Sequence, residues 1–145
     1  MLEVKGAQRA GEANQAGEGL PPDARARLVA TTALLAFLTV LHDVDHVRQG
    51  RPLPLVLYGV ALAALVSIGI TLLALARYPR WAQEVAIAQG VATVVGVGVV
   101  HVAPEWSHLA DSYASANVDA VSWLIIIAMM CTGLMLTVLA TRGQS

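Results

Sequence analysis

Charge is what this chain has least of. Only 13% of its 145 residues are Asp, Glu, Lys or Arg, while 57% are hydrophobic. Soluble domains carry about 25% charged and about 45–50% apolar residues. So little polar surface cannot cover a body facing water, and the apolar surplus must face lipid. Net charge is −1 with no Lys/Arg cluster, which excludes the basic field that nucleic acid requires. Cysteine is limited to Cys131. An intramolecular disulfide is therefore excluded, and within its apolar run this residue reads as a small buried hydrophobe. Aromatics amount to 5%. The opening "MLEVKGAQRAGEANQAGEGL" lacks the apolar core of a secretory signal and the aromatic and β-branched residues that bury surface. Residues 1–22 read as a disordered cytoplasmic tail.

What is present is four apolar runs. About 20 residues cross a bilayer as helix, and spans are predicted at about 25–47, 54–76, 81–102 and 120–140, together a transmembrane domain over 23–142. No run alternates with the period of two that a membrane strand needs. The fold class is all-α, an integral membrane four-helix bundle. Asp23 is placed as the N-cap of the first span after Pro21 and Pro22, Gly50 as its stop, and Pro104 as the stop of the third.

Positive charge sets the orientation. Lys5, Arg9, Arg25, Arg27, Arg77, Arg80 and Arg142 fall on one side, and only Arg48 and Arg51 on the other. Both termini are expected in the cytoplasm, in a multi-pass protein of the cell membrane. Tyr78 and Trp81 belong to the inner interface; Tyr58, Trp106, Tyr113 and Trp123 belong at or near the outer one. Small residues recur every four positions at Gly59, Ala63, Ser67 and Thr71, and again at Ala82, Ala86 and Gly90, with Gly98 continuing that stripe after Val94. Such stripes let backbones approach within this bundle, or against a second copy or a partner membrane subunit.

The chemistry concentrates in "HDVDHVRQG", residues 42–50. The apolar run from Leu28 to Leu41 is too short to cross alone, so the helix must continue through His42–His46 at the outer face. At about 100° per residue, His42, Asp45 and His46 share a face with Leu35 and Leu38, with Thr39 and Asp43 on the rim. Two carboxylates at a helix C-terminus oppose the helix dipole, so something positive belongs beside them. The third span ends on the same side in "HVAPEWSHLADSY", residues 101–113, which brings His101, Glu105, His108 and Asp111 near. Asp119 follows before the fourth span.

Four readings fit these residues. The first is a metal site of His42, Asp45, His46 and His101, with Asp43, Glu105, His108 and Asp111 as further candidates. Its N/O donor set suits zinc, iron, manganese or copper. An open position would let Asp43, Glu105 or Asp111 act as a base toward a metal-bound water. The second is a hydrogen-bonded polar cap in a structural or accessory subunit. The third is a bis-histidine haem b between His42 and His101, opposed by the crowding carboxylates and scarce aromatics. The fourth is an ion path, opposed by an inner half that offers only Gln83, Glu84, Gln89 and scattered hydroxyls.

"HDVDHVRQG", "HVAPEWSHLADSY" and "VSW" together resemble an uncharacterised family of small bacterial four-span membrane proteins. The likeness covers the spans rather than the tail and implies the topology, with no activity attached. The HxxxH spacing is shared with membrane di-iron desaturases, but those need more histidines, in HxxHH boxes, than the four present here.

Overall fold

The computed structural model describes residues 20–50, 55–104 and 111–143. The tail through residue 19, Arg51, Pro54, and the candidates Glu105, Trp106 and His108 lie outside the described residues. Helix α1 is Pro22–Arg48, and α2 is Leu55–Arg77. A single 3-10 turn, Pro79–Trp81, leads into α3, Ala82–Val97, which widens into a π-turn at Gly98–Val102. A four-residue helix α4, Tyr113–Ala116, precedes α5, Ala120–Arg142. All four long elements are long and apolar enough to cross a membrane.

Local signals account for the ends. Pro21 is the N-cap of α1, with Pro22 opening the first turn. This corrects the expected Asp23 cap. Asp23 instead lies in the first turn, where the helix dipole favours it, and pairs with Arg27 at 3.1 Å. At the other end the Gln49 N–H donates to the Asp45 carbonyl, and Gly50 takes φ +63°, the left-handed conformation that closes the helix. The 27 residues of α1 measure about 40 Å against a hydrocarbon core of about 30 Å. Its HDVDH turn therefore reaches the membrane boundary.

End-to-end contacts make the bundle up-down-up-down. The Arg25 guanidinium donates to the carbonyls of Leu75 and Ala76, tying the start of α1 to the end of α2. Gln83 Nε2 at the start of α3 donates to Ala140 O at the end of α5. Ser122 at the start of α5 bonds Asp45 at the end of α1. Each long helix packs on two neighbours in a ring, and the interface of α3 with α5 is the most extensive.

That interface uses the small-residue stripe of the third span. Ala82, Ala86 and Gly90 are buried, and a Cβ on Gly90 would collide with the Gly133 carbonyl and Thr137. The stripe of the second span is only half used. Thr71 is buried, whereas Gly59 and Ala63 are exposed and Gly59 faces open space. Leu28, Leu35, Ile68, Leu75, Leu136 and their neighbours pack the half of the bundle toward Arg25; Leu38, Ile125 and Met129 pack the half toward the histidines. Outside, Phe37, Leu62, Ile70, Leu124 and Leu134 are exposed, the apolar exterior that lipid requires. Hydroxyls of Thr32, Thr39 and Thr132 donate to carbonyls four residues back, so none is stranded in an apolar setting.

Two expectations are corrected. Cys131 is exposed on the outer face of α5 rather than buried, because the small residues Thr132 and Gly133 take the inward positions. Tyr113 is fully buried rather than belted at the interface, because α4 folds it into the bundle.

The tight crossing generates a first prediction. Gly90→Val should cost about 1–3 kcal/mol by overpacking. Gly59→Ala, where space is open, should be neutral or stabilise by about 0.4–1 kcal/mol. Thermal unfolding in detergent, followed by loss of helical dichroism, checks both.

Candidate metal centre

The structure splits the HDVDH turn between three places. His42 and His46 point into the bundle, Asp45 points to α5, and Asp43 lies half-buried against a cavity.

His101 joins the first pair from α3. It sits in the π-turn, where the Ala103 N–H reaches the Gly98 carbonyl five residues back at 2.8 Å. Such widened turns recur at functional sites because they re-aim one side chain. His42, His46 and His101 are exposed by only 8, 3 and 6%. One ligand atom from each lies within 4.8 Å of the others. The Nε2 atoms of His42 and His46 are 3.3 Å apart. Zinc–nitrogen bonds of about 2.0–2.1 Å place two tetrahedral ligands about 3.4 Å apart, so this pair already stands at coordination spacing.

The chain returning from the π-turn builds the surround. The Asp111 N–H donates to Val100 O at 2.8 Å. Its carboxylate Oδ2 lies 3.7 Å from Nδ1 of both His46 and His101, and its carbonyl lies 3.2 Å from His101 Nδ1. Tyr113 brings its hydroxyl to 3.3 Å from His42 Nδ1. Its ring packs 4.7 Å from His101 and 5.8 Å from Trp123, the latter edge-on. Asn117, left-handed at φ +49°, ends α4 and turns the chain into α5. His42 Nδ1 thus meets the Tyr113 hydroxyl and His101 Nδ1 the Asp111 carbonyl, the kind of contact that fixes tautomers around metals. The Asp111 carboxylate stands beyond hydrogen-bond distance of His46 Nδ1. The C-terminal ends of α1 and α3 converge here, and their dipoles favour a cation.

Asp45 belongs to a separate network. Arg48 Nε meets Asp45 Oδ1 at 2.7 Å. Gln49 Nε2 and the Ser122 hydroxyl donate to its Oδ2 at 2.6 and 2.5 Å. Arg48 also pairs with Asp119 at 2.9 Å. Asp119 caps α5 by accepting the Ser122 backbone N–H. That bond, then the Arg48 guanidinium, holds the Asp119 carboxyl below the ordinary carboxylate range. The positive group anticipated beside the acidic turn is therefore Arg48. Both oxygens of Asp45 are engaged away from the histidines, which removes it from the ligand set expected from the sequence; Asp111 stands beside them instead.

Tyr113 and Ser122 are the residues that sequence reasoning missed. Tyr113 carried a signal, since an aromatic beside Asp111 and Ser112 in a polar return is placed to fold inward. Ser122 carried none beyond sitting three residues after a capping Asp. The haem geometry is not favoured. A macrocycle needs a slot between its two axial rings, yet the His42 and His101 rings meet edge-on at 4.7 Å, with His46 and Tyr113 filling the remaining sides.

No family model, curated protein or solved structure matches the chain.

The Asp45 network yields a stability prediction distinct from ligand binding. Asp45→Asn should destabilise the fold by about 1–3 kcal/mol, the scale of charged hydrogen bonds, read as a lowered unfolding midpoint. Asp119 adds a pH dependence. Its lowered carboxyl stabilises the fold above the ordinary carboxylate range, and that contribution is lost as pH falls through the lowered value. Since Asp119 and Arg48 are exposed, salt weakens the effect. Asp119→Asn should flatten the acid limb of a midpoint-against-pH curve, and more so at low salt.

Proposed function

We propose that this chain is a multi-pass membrane metalloprotein that holds one divalent transition metal, zinc by preference, through His42, His46 and His101. The observation that carries the reading is the convergence of three buried histidines from two helices, with Asp111 and Tyr113 set against their Nδ1 atoms. The 3.3 Å approach of the His42 and His46 Nε2 atoms, and the contact of His101 Nδ1 with the Asp111 carbonyl, favour Nε2 as the ligating nitrogen. Three imidazoles suit zinc, copper and iron, whereas manganese prefers the oxygen donors that this inner set lacks. Three protein ligands leave a fourth position, the pattern of reactive rather than structural zinc sites. Asp43, half-buried and lining the same cavity as the histidines, is the candidate base. The distribution of Lys and Arg supports an outer-face location with both termini in the cytoplasm.

The accessory-subunit reading draws on the Asp45–Arg48–Asp119 network, which locks α1 to α5 as a polar cap would. It accounts for Asp45 and Arg48 and leaves the histidines unexplained.

Elemental analysis on protein purified without chelators or metal resin tests the proposal. About one equivalent of metal is expected, absent from His42→Ala, His46→Ala and His101→Ala and kept by Asp45→Asn. Asp111→Asn should weaken binding about 10–100-fold, the usual loss when a ligand's orienting partner is removed. Stoichiometric metal in both His42→Ala and His101→Ala would overturn the assignment. For topology, a reporter fused after Ser145 should be active only as a cytoplasmic reporter; a signal from the other side would reverse the orientation.

A further inference from the structure

The cavity beside the histidines has a shape that the metal site alone does not explain. Its volume is about 370 Å³, and its lining runs from His42, His46 and His101 down to Ser67, Gln89 and Thr93. Twelve residues of helix separate Gln89 from His101, so the space extends about 18 Å along α3. The walls are apolar for most of that length. The polar groups cluster at the two ends, the histidines with Asp43 at one and the Gln89 amide at the other. Gln89 is buried, accepting from Thr71 and donating to Thr93 over long 3.4 Å bonds.

The side wall is open toward lipid. Of the four neighbouring pairs in the ring, α2 and α3 share the smallest interface. Along their seam the lining residues Val60, Ala63, Ala92 and Gly96 are all exposed. A Cβ built on Gly96 meets nothing within 4 Å. Ala63, from the exposed half of the small-residue stripe on α2, lies on this seam. These residues leave a slot instead of closing one.

We propose that this slot binds a single-chain amphiphile from the membrane, its polar head at the histidine site and its aliphatic chain lying toward Gln89. The head's role rests on the metal reading above; the chain's place rests on the cavity. In a bilayer the molecules that reach an apolar side opening are lipids and lipid-soluble compounds. The volume is at the low end of ligand sites, about 300–1,000 Å³, and its narrow length suits one chain rather than two. A head with an acceptor oxygen, such as a carboxylate, meets the open metal position.

The test uses full-length protein in nanodiscs with palmitic acid carrying a photoreactive diazirine at its chain end. Crosslinks should concentrate at Ser67, Ile68 and Gln89 and be competed by unlabelled palmitate. Ala92→Phe, which projects a ring into the slot, should reduce that labelling about ten-fold or more. Gly96→Leu fills the slot at a second point, should one variant fail to fold by dichroism. Wild-type labelling in the folded slot-filled protein overturns the proposal, as does labelling spread over Leu62, Leu124 and Leu134. Metal content measured on the same samples separates the two claims. Metal without slot labelling overturns the slot alone, and slot labelling without metal overturns the metal reading alone.

Discussion

The histidine site depends on helix α5, which supplies none of its candidate ligands. Both ligand-bearing helices dock on α5, α3 through a close approach near mid-helix and α1 through a contact at its C-terminal end. The backbone approach at Gly90 and Gly133 sets the height of α3, and the Asp45–Ser122 contact sets the height of α1. Once those two heights are fixed, His101 arrives level with His42. In lipid no hydrophobic force holds helices in register, so close packing and polar contacts must do so. Here both interfaces combine the two devices, with close packing most prominent between α3 and α5 and polar contacts between α1 and α5.

Much of the fold was legible because its determinants are linear. Apolar length, Gly50 and the Pro21–Pro22 pair are read residue by residue, and the four apolar runs form four long helices. The deviations arise where a local signal met a stronger one. Asp23 is a good cap residue, but Pro21 and Pro22 already fix the first turn, and Asp23 serves better inside it. Cys131 lies beside two residues small enough to face α3, and it yields the inward position to them.

The candidate site was legible in part. Convergence of His42, His46 and His101 followed from parallel helix ends and helical spacing. Which way Asp45 would turn did not, because its face borders both α3 and α5 and only the partner chemistry decides. Arg48, Gln49 and Ser122 offer three donors toward α5. The histidine side offers rings, which a carboxylate satisfies less completely. The π-turn was likewise invisible. "GVGVVHV" is an ordinary helical string, and its extra backbone residue per turn is set by where the returning chain at Asp111 bonds Val100.

The half of the bundle toward Arg25 gives the molecule a direction. Leu28, Leu35, Leu75, Ala82, Ala86, Leu136 and Ala140 pack there, with Thr32 and Thr71 buried in the same half and bonded to carbonyls of their own helices. Arg25 and Gln83 bind the helix carbonyls at that end. The cavity stops above this layer, at the level of Gln89. A charge beside the histidines therefore faces a mostly apolar, low-dielectric layer on the Arg25 side. The bundle is asymmetric along its length, with its buried histidines and cavity toward one end and a packed aliphatic layer toward the other.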